Sequence, residues 1–149
     1  VLHSTGKKDF DRVVAELRLS EEERCRWRVV PYIDAMGEAL AAADLVLSRA
    51  GASSIAEIAA LAVPALLVPY PFATADHQTV NARYLVDAGA AVLLPDDQID
   101  TPAFLESLRR LIDDGERRTS MRQAAKSLAQ DRAAMALADQ VEGVEALGT

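Results

Sequence analysis

A chain of 149 residues, 50% hydrophobic and 26% charged, has the length of one domain and the apolar content of a core, which excludes disorder, collagen-like repeats and coiled coil. With 16 Lys+Arg against 23 Asp+Glu the formal charge is −7, so the phosphate-neutralising surface of a general nucleic-acid binder is missing. The single Cys25 forms no internal disulfide, no Cys/His cluster has zinc spacing, and no run reaches the ~18 apolar residues of a membrane span, which suits a reducing compartment without a structural metal.

Read in chain order, short apolar runs alternate with segments of helical length. Val1-Leu2 reads as a first strand met mid-pattern, with neither initiator Met nor signal peptide, as in a fragment or a processed piece. Further strands are expected at Trp27–Val30, Leu45–Leu47, Ala65–Val68 and Ala91–Leu94. Between them, helices are expected at Phe10–Leu17, Ala35–Ala43, Ile55–Ala62 and Asn81–Ala88, and Ser20 followed by Glu21-Glu22-Glu23 reads as an acidic first helical turn. Such β–α–β alternation predicts an α/β fold with a parallel sheet covered on both faces. Thr101-Pro102 then supplies an N-cap with Pro at the first helical position, and two or three helices follow, broken near Gly115 and near Gln130-Asp131, with no further strand. Trp27 and Met36 read as core residues.

In an open parallel sheet, ligands bind outside the carboxyl ends of the strands, so the loops that follow them carry the functional reading. These are His3-Ser4-Thr5-Gly6, Pro31-Tyr32-Ile33-Asp34, Ser48-Arg49-Ala50-Gly51-Ala52-Ser53-Ser54, and Pro69-Tyr70-Pro71-Phe72 leading to Asp76-His77-Gln78. The third is the most informative, because small side chains at a helix start let backbone N–H groups approach an anion such as phosphate under the helix dipole. It is neither a Walker loop nor a GxGxxG fingerprint. Glu57, one turn further on, reads either as the capping-box partner of Ser54 or as a carboxylate for a ribose diol. Arg49 reads as a phosphate contact or a surface ion pair, Asp34 as a helix N-cap, and His77 as an exposed first-turn residue behind an Asp76 cap or a ligand contact. Neither His3 nor His77 has a triad-like carboxylate partner in the sequence. Pro64, Pro69 and Pro71 stiffen the ends of the fourth strand.

Taken together, the runs His3-Ser4-Thr5-Gly6, Pro31-Tyr32-Ile33-Asp34-Ala35-Met36, Ala43 to Ala52, Glu57-Ile58-Ala59-Ala60, Pro64 to Tyr70 and Asp76 to Ala82 resemble, in order and spacing, one family. It is the C-terminal, donor-binding half of the bacterial MurG-type N-acetylglucosaminyltransferases of peptidoglycan synthesis. The resemblance implies a Rossmann-like parallel sheet with C-terminal helices, the C-terminal lobe of a GT-B glycosyltransferase, which holds UDP-GlcNAc as donor substrate. Residues 1–149 would be a single, incomplete UDP-sugar-binding domain, with the acceptor domain and a glycine-rich diphosphate loop lying before Val1. The implied reaction moves GlcNAc, with inversion, onto the 4-hydroxyl of a lipid-linked N-acetylmuramoyl-pentapeptide, without a cofactor or a metal bound by a DxD motif. It takes place in the cytoplasm at the inner face of the plasma membrane, with membrane contact peripheral and mainly through the other lobe.

By matching position, the resemblance has Ile33 meet the uracil through its backbone, with Met36 beside the base. Glu57 would bind the ribose hydroxyls, while Ala52, Ser53 and Ser54 form the helix N-terminus that faces the nucleotide. Gln78 would contact the GlcNAc hydroxyls, supported by His77 and Asn81, and the catalytic groups would lie on the other lobe. The chain departs from the family where two consecutive glutamines are common and it has His77-Gln78, and where Ser is common and it has Ala50. Two alternatives stay open: the same donor lobe serving another acceptor, and a stand-alone nucleotide-binding subunit completed by a separately encoded lobe.

Overall fold

A computed structural model of the chain describes residues 1–73 and 76–129. They divide into two compact units, the first ending at Ala39 and the second beginning at Leu40.

In the first unit, β1 (Leu2–Ser4) pairs in parallel with β2 (Arg28–Val30), in the register Leu2↔Arg28, His3↔Val29, Ser4↔Val30. Two helices make the crossover: α1 (Phe10–Leu17) and α2 (Glu21–Arg26). On α1, Arg12 bridges Asp9 at 2.9 Å and Glu16 at 3.1 Å, one turn to either side. The start of α2 is a complete capping box: the Ser20 hydroxyl accepts from the Glu23 N–H at 3.3 Å and the Glu23 carboxylate accepts from the Ser20 N–H at 2.8 Å. The acidic run read from the sequence is thus a helix start in which Glu23 closes the capping box and Glu22 pairs with Arg26 one turn along at 3.6 Å. Trp27 ends that helix half-buried, its ring 6.1 Å from that of His3.

In the second unit, β3 (Val46–Ser48), β4 (Ala65–Leu67) and β5 (Ala91–Leu93) form a parallel sheet in the order β3-β4-β5. The helix shared by both units is α3 (Met36–Ala41); α4 (Ala52–Ala60) connects β3 to β4, α5 (His77–Asp87) connects β4 to β5, and α6 (Pro102–Asp113) follows a 3-10 turn at Asp96–Gln98. Among the described residues a further helix, α7, covers 115–129. All three β4 residues are buried, because the central strand of a covered parallel sheet is apolar on both faces. Their side chains alternate between two cores. Ala65 and Leu67 pack with Ile55, Ile58, Ala82 and Leu85 of α4 and α5, whereas Leu66 packs with Val68, Leu94, Leu111 and Met121. The α7 helix serves both, with Met121 in one core and Ala125 in the other.

The parallel strands, the crossover helices and the α/β class follow the sequence reading; most boundaries shift by one or two residues, and α4 and α5 start three and four residues earlier than expected. Three local expectations are corrected. Met36, read as core, is 37% exposed, because the buried position of α3 is Leu40. Asp34 does not cap α3, since the Ala39 N–H bonds to the Ala35 carbonyl at 3.1 Å and so places Ala35, not Asp34, at the cap position. The break between α6 and α7 falls at Asp114, whose carboxylate accepts from the Arg117 N–H at 2.8 Å, leaving Gly115 inside the new helix. The break read near Gln130-Asp131 lies outside the described residues. Among those residues, no strand follows β5.

Leu66→Ala removes a fully buried side chain from the central strand with Leu111 and Met121 packed over it, and lowers unfolding free energy by about 2–5 kcal/mol in chemical denaturation. The Glu23 carboxyl is held below its ordinary value, first by the Ser20 backbone N–H and then by the Ser20 side chain. With its folded value below its unfolded one, the ionised Glu23 supports α2 above the ordinary carboxylate range, and that support is lost as pH falls through the folded value. Amide-exchange protection at the start of α2 therefore drops as pH falls from neutral to below the ordinary carboxylate range, and Glu23→Gln, which keeps the hydrogen bond without the charge, flattens the dependence.

Candidate nucleotide-sugar site

The carboxyl ends of β3, β4 and β5 feed the loops in which most of the candidate residues stand. Beyond β3 the chain reaches the buried Ala50 and then Gly51, which is the N-cap of α4 and accepts from the Ile55 N–H at 2.9 Å. Gly51 has an ordinary extended backbone, φ −63°, and so supplies bareness instead of an unusual turn. Having no side chain, it cannot cap, and Ala52, Ser53 and Ser54 start the helix without a side-chain cap. The amide-rich, positive end of the α4 dipole is thereby left available to an anion.

This geometry removes one reading of Glu57. A capping box with Ser54 requires Ser54 to be the N-cap, but the helix starts at Ala52, three residues earlier than expected, and Ser54 and Glu57 are both interior. Glu57 is exposed, and no hydrogen bond or ion pair of its side chain with a described residue is present.

The start of α5 is built against the same loop. Gln78 Oε1 accepts two backbone hydrogen bonds, from Ala50 N–H at 3.1 Å and from Tyr70 N–H at 2.9 Å. Asn81, one turn along α5, donates from Nδ2 to the Ala50 carbonyl at 3.2 Å. Both polar groups of Ala50 are therefore held by α5 side chains. With two N–H donors pointed at its oxygen, the Gln78 amide has a fixed orientation and turns its NH2 group, a pure donor, to other partners. His77, at the first position of α5, is exposed behind Asp76, which occupies the cap position in the left-handed region (φ 55°) without a side-chain cap bond. Among the candidates in this unit, the structure thus joins Gln78 and Asn81 to the loop that leads into Ala52, Ser53 and Ser54.

Arg49 resolves differently from either simple reading. Its Nη1 donates to the carbonyls of Val68 at 3.3 Å and Pro69 at 3.2 Å and pairs with the Asp96 carboxylate, while the guanidinium lies 5.6 Å from the Tyr70 ring centroid. It is an ion pair, but one that ties together the ends of three strands. Asp96 and Tyr70 carry no signal in the sequence that marks them for this role: Asp96 is 47 residues from its partner, and acidic residues after a strand are ordinary. Beyond Tyr70, Phe72 packs edge-on to its ring at 5.6 Å and is 82% exposed.

In the first unit, Ile33 stands in the loop after β2 and Met36 is the first residue of α3. Thr5 N–H donates to the Val30 carbonyl at 3.1 Å, Gly6 turns the chain at φ +80°, and Lys7 Nζ stands 6.0 Å from the Tyr32 ring centroid. Ile33 is half-buried between Tyr32 and Asp34, which are exposed. Among the described residues, no group of His, Cys, Asp and Glu has the arrangement of a metal site, and no helix is long and apolar enough to cross a membrane.

Comparison with known proteins agrees with this architecture. Residues 1–140 match the glycosyltransferase family 28 C-terminal domain. The chain is 46% identical over 141 residues to the UDP-N-acetylglucosamine–N-acetylmuramyl-(pentapeptide) pyrophosphoryl-undecaprenol N-acetylglucosamine transferase of Chlorobaculum parvum, covering 95% of this chain and 38% of that protein. The enzyme of the same name from Halothermothrix orenii is 37% identical over 145 residues, with 95% of this chain and 39% of that protein covered. The chain therefore spans about two fifths of the length of these relatives. Among solved structures, Acinetobacter baumannii MurG superposes with a TM-score of 0.73 at 32% identity, over 85% of this chain and 36% of that one. The glycosyltransferase VinC, solved with dTDP, shares the fold at a TM-score of 0.56 and 19% identity, over 81% and 33% of the two chains. The Rossmann-like α/β fold is that of the GT-B glycosyltransferases, and the chain belongs to the glycosyltransferase family 28 C-terminal domains.

Proposed function

We propose that this chain is the donor-binding part of an enzyme that transfers GlcNAc from UDP-GlcNAc to a lipid-linked N-acetylmuramoyl-pentapeptide in peptidoglycan synthesis. The observation that carries the reading is the clasp on Ala50: Gln78 and Asn81 hold the loop that leads into an uncapped helix N-terminus, in a chain 46% identical to a transferase of that name. In this reading the N-terminus of α4, formed by Ala52, Ser53 and Ser54, faces the nucleotide, and its dipole stabilises negative charge as UDP departs. The free NH2 of Gln78 donates to GlcNAc hydroxyls, and His77 and Asn81 support the sugar side. Glu57, without a competing cap, accepts from the ribose diol. Ile33 meets the uracil through its backbone, with Met36 beside the base, for which an exposed thioether suits better than a core one. The acceptor site and the catalytic base are assigned to a lobe outside these 149 residues, and the reaction to the cytoplasmic face of the plasma membrane, reached peripherally and mainly through that lobe. No cofactor or metal is required.

Calorimetric titration of this chain tests the reading. UDP-GlcNAc binds, UDP binds, and GDP does not; preference for UDP-GlcNAc over UDP-GalNAc assigns discrimination to Gln78 and its neighbours, and added EDTA leaves the affinities unchanged. A folded chain that binds no uridine nucleotide overturns the proposal.

Glu57→Gln separates a ligand role from a structural one. The side chain is exposed and has no partner among the described residues, so the melting temperature stays within about a degree of wild type. UDP affinity falls by roughly 1.5–3 kcal/mol through loss of charge-assisted hydrogen bonds. Unchanged affinity removes Glu57 from the site.

A further inference from the structure

We infer that Asp96, on the turn after β5, is a positioning residue for the sugar end of the donor, acting through Arg49 on Gln78. The inference rests on the donor-binding reading above.

Two connected routes support it. Asp96 pairs with Arg49, whose Nη1 also donates to Val68 and Pro69 carbonyls at 3.3 and 3.2 Å and whose guanidinium lies against the Tyr70 ring. The next N–H along that loop, Tyr70, is one of the two donors that orient the Gln78 amide, at 2.9 Å. The second donor is Ala50, covalently next to Arg49, at 3.1 Å. Both hydrogen bonds that decide which way the Gln78 amide faces therefore originate from segments tied to one guanidinium, and Asp96 is the only anionic partner of that guanidinium among the described residues.

An arginine bonded to carbonyls alone keeps its full charge uncompensated and is free to swing to another anion, including a substrate phosphate. The Asp96 carboxylate, paired with the same Nη1 that bonds the two carbonyls, holds the guanidinium at the strand ends. Both side chains are partly exposed, 47% for Arg49 and 30% for Asp96, so the pair is placed to set geometry more than to add stability. The expected consequence is selective: loosening the clamp lets the Gln78 amide turn or drift and weakens contacts to the sugar, while the α4 N-terminus, which rests on α4 itself, keeps its hold on UDP.

The experiment compares wild type, Asp96→Ala and Asp96→Asn in this chain by titration with UDP-GlcNAc and with UDP, by thermal melting, and by amide spectra of Ala50, Tyr70 and the Gln78 side chain. Asp96→Ala reduces the preference for UDP-GlcNAc over UDP by about three- to tenfold, leaves the UDP dissociation constant within about twofold, and shifts the Tyr70 and Gln78 signals. Asp96→Asn, which retains an acceptor for Arg49, restores most of the preference. Equal loss for both ligands with a lowered melting temperature makes Asp96 a merely structural residue and overturns the inference, as does an unchanged preference with unshifted amides. If wild type itself binds no uridine nucleotide, the donor-binding reading falls, and the amide spectra decide the Asp96–Arg49–Gln78 linkage by themselves.

Discussion

The carboxyl ends of the second unit's three strands are organised around the guanidinium of Arg49. A parallel sheet leaves its loops to find their own arrangement, since the ladder hydrogen bonds stop where the strands stop. Here the strands are only three residues long, and the ladder is extended by Val68 N–H to Ser48 carbonyl and Leu94 N–H to Leu67 carbonyl, each at 2.9 Å. Past that point Arg49 takes over, reaching from the β3 exit to the carbonyls of the β4 exit and to the carboxylate of the β5 exit. As an isolated exposed pair it would contribute at most ~1 kcal/mol, but a planar donor with acceptors on two neighbouring loops fixes distances that a single bond cannot.

The buried side of the unit makes that precision possible. Leu66 and Leu67 occupy opposite faces of β4 and are both fully buried, so β4 cannot slip by one residue without driving each side chain into the core shaped for the other set. With β4 fixed, Val68, Pro69 and Tyr70 leave the sheet at a defined point, and the prolines at 69 and 71 restrict the directions available to them. Helix α5 then returns along the core with Ala82 and Leu85 buried, which sets the height at which Gln78 and Asn81 meet Ala50. Core packing and polar clasp are consecutive parts of one chain of placement, from β4 to the amide of Gln78.

How much of this was legible in the sequence depends on the distance over which each interaction works. Short apolar runs identified the five strands of the described residues, and the α/β class followed from their alternation with helices, because burial on both faces is written in consecutive residues. Helix starts were harder. Ser20 and Glu23 form the capping box their spacing suggests, whereas Ser54 and Glu57, with the same spacing, do not, since the helix begins at the bare Gly51. Local pattern alone cannot choose between two overlapping starts when small residues permit both. Met36 failed for a related reason: α3 has one buried position, Leu40, and a six-residue helix offers too little periodicity to say which face is covered. The Arg49–Asp96 pair and the two backbone bonds of Gln78 span 47, 28 and 8 residues, and nothing in their local sequence reports a partner that only the fold brings near.

A site that must grip one part of a ligand electrostatically and read another by hydrogen-bond direction faces two different demands. The α4 N-terminus meets the first: its free N–H groups and dipole are properties of the backbone, tolerant of side-chain identity as long as the residues are small, as Gly51, Ala52 and Ser53 are. The second cannot be met by backbone alone, because an amide side chain such as Gln78 offers a donor or an acceptor according to a rotation of half a turn. Saturating its oxygen with the Ala50 and Tyr70 N–H groups removes that ambiguity and turns a flexible residue into a fixed donor. Arg49 and Asp96 then matter because they hold the segments carrying those two N–H groups, so that the direction in which Gln78 donates is set by residues it does not itself touch.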